Sequence, residues 1–353
     1  MTATAVTPVT VLTGFLGSGK TTLLNRLLRD PAAADSAVIV NEFGPVAIDH
    51  ALVRTASENV VLLPSGCVCC RVAGDLVQAL RDLYFKRARG EVPPFRRALI
   101  ETTGLADPAP LLRTLVELPL VAARYSLAGV ATTVDGVHGM AQLDAHPEAV
   151  KQAAVADRIV ITKCDAARPG TLEPLEARLA GINPGAGRVR AVHGAVDVDW
   201  LLETGLTRGA ARRADPASWM NAGAYRIAGG APPAVHDPRI RAFAWWGGTA
   251  ATLAEVEDGL ETLLELAGER ILRLKGLAAT DDEPGPVAFH AVQHTLYPPA
   301  RLADWPDADH RTRFVVIARD LEDAFVAQIF DSFIRAPARE SAAGPAVAAI
   351  SPR

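Results

Sequence analysis

The stretch Gly14-Phe15-Leu16-Gly17-Ser18-Gly19-Lys20-Thr21-Thr22 constrains this chain more than any other, because it fits the phosphate-binding pattern G-x-x-x-x-G-K-[ST]. Its setting makes the match informative. The apolar run at residues 8–13 reads as a buried parallel strand, and residues 22–29 read as an amphipathic helix that begins where the loop stops. Gly14, Gly17 and Gly19 free the backbone to turn N–H groups, those of Ser18 and Thr22 among them, inward around a triphosphate, and the helix N-terminus adds its positive dipole. In such a loop Lys20 reaches the outer phosphates and the Thr21 hydroxyl binds Mg²⁺. The alternative is a glycine-rich turn that matches by chance, and the strand and helix on either side weigh against it.

Further polar stretches follow strands. Residues 36–41 read as a second strand running into 42–50, a loop beside the γ-phosphate of the kind that changes conformation with nucleotide state. Residues 97–100 lead into Glu101-Thr102-Thr103-Gly104. A carboxylate in that position sits beside Mg²⁺ and its water, and Gly104 is placed to offer a backbone N–H to the γ-phosphate. Residues 127–134 form another strand, and 158–161 end in Thr162-Lys163-Cys164-Asp165, which resembles the guanine-reading tetrad [NT]-K-x-D. A buried Asp165 would accept two hydrogen bonds from guanine and be left unpaired by adenine. The Lys163 stem would lie along the base plane. The plain alternative is a polar strand end.

Strands alternating with helices to about residue 205 predict an α/β fold, a doubly wound P-loop GTPase domain over 1–205 with its ligand at the carboxyl ends of the strands. Residues 206–238, rich in Gly, Ala, Pro and Arg, read as a linker. A smaller α+β domain follows over 239–335, with strands at 239–246, 270–277, 287–296 and 313–318 and helices at 249–267 and 321–334. The tail, 336–353, has the composition of a disordered segment. Thirty-six basic against forty acidic side chains give a net charge of −4 with no basic block, which argues against a nucleic-acid partner. No run of 18 apolar residues exists, so no membrane partner is expected. The polar N-terminal residues lead directly into the first strand and not into a signal peptide, which points to the cytoplasm.

Of four cysteines, three crowd into Cys67-Val68-Cys69-Cys70, behind a strand at 59–63 and the turn Pro64-Ser65-Gly66 and ahead of a helix at 74–89. Such crowding suits metal or redox chemistry better than a disulfide framework. Cys67, Cys69 and Cys70 offer three thiolates, which select Zn²⁺ or similar ions and leave a fourth position for Glu42, His50 or an exogenous ligand. The other readings are a buried trio of small residues or a redox pair. Cys164 reads as core.

With these motifs assembled, the sequence resembles the CobW-type GTPases, a phosphate-loop class that also includes the urease and hydrogenase maturation GTPases. The resemblance rests on residues 14–22, Asn41-Glu42-Phe43-Gly44 with Ile48-Asp49, residues 66–70, 101–104 and 162–165, and Leu272-Arg273-Leu274-Lys275-Gly276, an R-x-K-G element, in the second domain. It implies binding of Mg²⁺ and GTP, slow hydrolysis, and delivery of Zn²⁺ or Co²⁺ to a client metalloprotein. It assigns Lys20 and Thr21 to phosphate and Mg²⁺, Glu101 to the Walker B acid, Asp165 to guanine, and Cys67, Cys69 and Cys70 to the metal. The expected assembly is a monomer or a GTP-linked dimer. Departures are Pro45, where many relatives carry a second acid, a linker holding only His236, and Thr162 in place of Asn. Two other functions compete: a regulatory switch acting on a protein partner with a structural zinc, and a simple ATPase or nucleotide kinase.

Overall fold

A computed structural model describes residues 6–40, 60–62, 69–202, 216–228, 239–248 and 252–334. The first domain is built on β1 (Thr7–Gly14), β2 (Ser36–Val40), β3 (Val60–Leu62), β4 (Arg97–Glu101), β5 (Tyr125–Asp135), β6 (Arg158–Thr162) and β7 (Gly187–Arg190). All pairings are parallel, in the order β3-β2-β4-β1-β5-β6-β7. A parallel sheet is covered on both faces, so its strands are apolar on both sides, and β2 is buried at every position. Alternation divides β1 between two cores: Val9 and Val11 pack with Ile39, Leu80 and Leu112, whereas Leu12 packs with Leu23, Leu24 and Leu99. The strand order places β1 between β4 and β5, so the loops after these three strands converge at one crevice.

The second sheet contains β8 (Arg226–Ile227), β9 (Ile240–Trp246), β10 (Ile271–Ala278), β11 (Val287–Val292), β12 (Thr295–Leu296), β13 (Ala300–Arg301) and β14 (Arg313–Arg319). Its order is β12-β11-β10-β14-β9-β8, with β13 on β11, antiparallel except between β8 and β9. Phe314 and Val316 of β14 face a core shared with the helices Leu253–Ala267 and Asp323–Phe333. Val315 and Ile317, the alternate residues, join a cluster with Val134, Ala153 and Leu175 of the first domain. The two sheets are therefore joined through a common apolar core.

A buried ion cluster crosses the same junction. Asp157, just ahead of β6, pairs with Arg273 and, at 2.8 Å, with Lys275, the two cations of the R-x-K-G element on β10. Lys275 also donates to the Trp219 carbonyl at 2.8 Å and lies over the Trp219 ring. Asp157 Oδ2 accepts the Val130 N–H at 2.9 Å, which ties the cluster to β5.

Several boundaries differ from the expectation. The first helix spans Lys20–Leu27 and starts ahead of residue 22, because Gly19 in the left-handed region serves as its N-cap. The helix expected at 74–89 spans Cys69–Ala88, which places the backbone of Cys69 and Cys70 in its first turn. Thr252 and Glu255 form a capping box that delays the helix expected from 249 to Leu253. The strand expected over 287–296 breaks into β11 and β12 at Gln293, whose φ is 50°. Within the expected linker, 216–228 holds the helix Pro216–Met220 and β8, with Trp219 and Met220 buried. The tail 336–353 lies outside the described residues. Among the described residues, no helix is long and apolar enough to cross a membrane.

Candidate functional site

The phosphate loop closes on the neighbouring strand ends. Gly14 adopts φ 143°, and a Cβ there would come within 2.3 Å of Thr133 Oγ1 on β5. Ser18, buried, shares a hydrogen bond of 2.6 Å with the Thr133 hydroxyl. Gly17 and Thr22 are exposed at the rim, and Lys20 turns its Nζ back into the loop, donating to the carbonyls of Gly14 at 2.9 Å and Phe15 at 3.2 Å. On its outer side the Phe15 ring stacks on His146 at 4.5 Å.

Thr21 and Glu101 meet in this crevice. The Thr21 hydroxyl donates to Glu101 Oε1 at 2.9 Å, although the two residues are 80 positions apart in sequence. They converge because β1 and β4 are parallel neighbours with Leu12 in register with Glu101, so both chains leave the sheet at the same level. A hydroxyl and a carboxylate held together form the hard oxygen set that Mg²⁺ prefers, so the residues fit that ion. Gly104 lies directly on the phosphate loop, where a Cβ would come within 2.7 Å of the Leu16 backbone. A side chain at 104 is thereby excluded.

At the other end of the site, the Thr162 hydroxyl donates to the Ser18 carbonyl at 2.7 Å and stitches the end of β6 to the phosphate loop. Lys163, at φ 54°, donates from Nζ to Asp135 Oδ2 at 2.7 Å. Asp135 Oδ1 accepts the N–H groups of Val137 at 2.8 Å and His138 at 3.1 Å. Burial alone would raise the Asp135 carboxyl, but the Lys163 hydrogen bond and the two backbone amides outweigh it and hold it below the ordinary range. Asp165 is exposed and not buried, as it follows the strand in an open turn. Cys164 is half-buried, its Sγ donating to the Ile161 carbonyl at 3.1 Å, and burial pushes its thiol up.

Sequence reasoning missed Asp135 and Gln152. Asp135 carried a usable signal: Thr133-Val134-Asp135-Gly136 repeats the arrangement of an apolar strand, an acid and a nearby Gly that singled out Glu101. Gln152 carried none. Its side chain, buried on the helix Pro147–Ala154, donates to the carbonyls of Gly104 at 3.2 Å and Ala106 at 3.0 Å. Of the expected metal ligands, Glu42 and Cys67 lie outside the described residues, as does His50, and only the backbone of Cys69 and Cys70 is described. Among the described residues, no group of three or more His, Cys, Asp or Glu could hold a metal ion.

Comparison with known proteins identifies the family. Residues 8–190 match the family described as CobW/HypB/UreG, nucleotide-binding domain, and residues 241–334 match the cobalamin synthesis protein cobW C-terminal domain. The zinc chaperone YjiA of Escherichia coli is 33% identical over 324 residues, covering 91% of this chain and 97% of its own. The zinc chaperone CobW of Pseudomonas aeruginosa is 31% identical over 365 residues, covering 93% of this chain and 91% of its own. The crystal structure of Zn(II)-bound YjiA GTPase from E. coli superimposes with a TM-score of 0.65 at 30% identity, over 93% of this chain and 99% of that one.

Proposed function

We propose that this chain, which belongs to the CobW/HypB/UreG family, is a GTP-dependent zinc chaperone of the cytoplasm that couples its nucleotide state to binding Zn²⁺ or Co²⁺ and handing the ion to a client metalloprotein. The observation that carries the nucleotide half is the contact between Thr21 and Glu101 at 2.9 Å, at the foot of a loop whose lysine faces inward. The metal half is supported by relatives that are named zinc chaperones over nearly the whole chain.

In this reading Thr21 and Glu101 would hold Mg²⁺, which would supply positive charge to the nucleotide's phosphates. Lys20 adds a second charge on the same oxygens, and the Gly104 N–H faces the terminal phosphate. Asp165 and Lys163 receive the base, with Lys163 held across it by Asp135. Cys67, Cys69 and Cys70 bind the cargo ion, with Glu42, from the segment ahead of β3, as a further ligand. The start of the helix Cys69–Ala88 suits this, since the positive end of a helix dipole favours thiolate over thiol.

Asp165→Asn is expected to lower the preference for GTP over ATP by about tenfold or more, because an amide cannot accept both guanine hydrogen bonds. Competition binding of the two nucleotides measures it. Unchanged discrimination would place base reading elsewhere. For the metal half, Co²⁺ added with Mg²⁺ and a non-hydrolysable GTP analogue is expected to give the intense thiolate charge-transfer absorption of a sulfur-rich site. The signal should weaken with GDP and vanish in a Cys67/Cys69/Cys70→Ser variant that still binds GTP. Coupling requires different metal affinity in the two nucleotide states, so equal affinity would leave a nucleotide switch with a structural zinc.

A further inference from the structure

The helix Pro147–Ala154 is bonded along one side to the loop that faces the phosphates and at its end to the second domain. Besides the two Gln152 contacts to Gly104 and Ala106, the Gln152 carbonyl accepts the Thr132 hydroxyl at 2.8 Å, which fixes the helix to β5. Lys151 Nζ donates to Asp107 Oδ2 at 2.6 Å, and Asp107 Oδ1 accepts the Ala109 N–H at 3.0 Å. The segment 104–107 is thus moored to this helix by side chains.

The second domain reaches the same moorings. Gln293, in the turn between β11 and β12, donates from Nε2 to Asp107 Oδ2 at 3.4 Å. Just past the helix, Arg273 donates to the Val155 carbonyl beside its pairing with Asp157. A cation at a helix C-terminus satisfies a carbonyl that the helix leaves open. The turn itself is held under strain. Gln293 sits at φ 50°, a left-handed conformation that disfavours a non-glycine residue, and its N–H is tied to the Ile271 carbonyl at 3.0 Å. A glycine would suit that turn better, yet the position carries an amide directed at the carboxylate that anchors the loop.

We propose that Gln293 is a positioning residue: through Asp107 and the helix Pro147–Ala154, the second domain sets where Gly104 stands and so how well the loop meets a terminal phosphate. The inference rests on the nucleotide reading given above for its consequence, but not for its structural content. GDP lacks the γ-phosphate, so the device acts on GTP and not on GDP. In reverse, a γ-phosphate that moves Gly104 pulls on the second domain, as linkage requires.

The test uses the full chain with Gln293→Gly, which removes the amide while suiting the turn, and Gln293→Lys, which restores a donor to Asp107. Gln293→Gly is expected to weaken binding of a fluorescent non-hydrolysable GTP analogue, and to slow hydrolysis, by about fivefold, the effect of one lost hydrogen bond. GDP affinity should stay at the parent value, and Gln293→Lys should recover most of the ratio. Hydrogen exchange in nucleotide-free protein should be faster at the amides of 103–107 in the glycine variant only. A glycine variant with the parent's ratio of analogue to GDP affinity and the parent's exchange at 103–107 overturns the proposal, as does a lysine variant that behaves like the glycine one. A parent chain that bound neither nucleotide would sink the proposed function, while the exchange measurement would still decide this inference.

Discussion

Lys20→Ala is expected to abolish detectable GTP hydrolysis and to weaken GTP binding by about a hundredfold or more, while the thermal transition moves by only a few degrees. The size follows from what Lys20 touches. Its ammonium is the charge at the centre of the loop, 2.9 Å from the Gly14 carbonyl and 3.2 Å from that of Phe15, and it belongs to none of the apolar clusters that join the helices to the sheet. Truncation removes positive charge from the place where, on the proposed function, phosphate oxygens are received, and it takes one donor from the buried Gly14 carbonyl and one from the part-buried Phe15 carbonyl. The helix Lys20–Leu27 keeps Leu23, Leu24 and Leu27 in the core, so the fold has no reason to loosen. Titration with a fluorescent GTP analogue, phosphate release and a circular dichroism melt measure the three parts. Retained hydrolysis would remove the phosphate loop from the mechanism, and a collapse of the melt would make the loss of binding uninformative about charge.

The nucleotide end of the molecule was legible in sequence because its chemistry depends on spacing along one strand, loop and helix. Lys20 and Thr21 follow their glycines by fixed steps, and Glu101 announces itself as an acid closing an apolar strand. What sequence could not give was the contact across 80 residues between Thr21 and Glu101, which exists because β1 and β4 are parallel neighbours in register. Asp165 shows the opposite limit. Its tetrad begins at Thr162, the last residue of β6, as the strand pattern implies, but burial is a property of what packs around a turn, and here nothing of the described chain covers Asp165. Gln152 was illegible for a different reason: a glutamine inside a helix is ordinary, and only the approach of Gly104 gives it partners. The second domain's order of strand, helix, three strands and helix was readable from periodicity. Gln293 breaks the third of these because a left-handed residue leaves no mark on hydrophobic alternation.

The R-x-K-G element could be seen in the sequence without any indication of what it does, and its burial against Asp157 makes the second large prediction. One carboxylate lies between two cations inside the junction of the domains. Burial works to raise the Asp157 carboxyl, but Arg273 and then Lys275 overcome it and hold the group far below the ordinary carboxylate range. Burial and the neighbouring Arg273 charge push Lys275 the other way from its usual value, down to about 7, and burial with the same charges keeps His290 neutral. Arg273 is therefore the permanent partner of Asp157, and Lys275 is the cation that can be discharged. Asp157→Asn leaves the buried Arg273 charge, and that of Lys275 wherever it is still protonated, without a counterion and is expected to cost about 3 kcal/mol or more of unfolding free energy.

The sign of the pH dependence follows from linkage. A lysine whose folded pKa is depressed gives up its proton in the folded state first, so stability rises with pH from the folded value towards the unfolded one near 10.4. In the parent that rise begins near 7. In Asp157→Asn, without the carboxylate, Lys275 discharges at still lower pH, so between about pH 5.5 and 7.5 the variant gains more stability than the parent, whose own gain is concentrated at the upper end of that window. The deficit should then be larger at about pH 5.5 than at about pH 7.5, by about 1 kcal/mol. Above that window both proteins gain alike. Placing Lys275→Met in both backgrounds removes the titrating group and should leave a deficit that no longer varies with pH. Urea unfolding of the four proteins at the two pH values reads all of this. A deficit that is independent of pH in the presence of Lys275, or one below about 1 kcal/mol, would mean that the apolar core between the sheets holds the domains together and the ion cluster contributes only to their register.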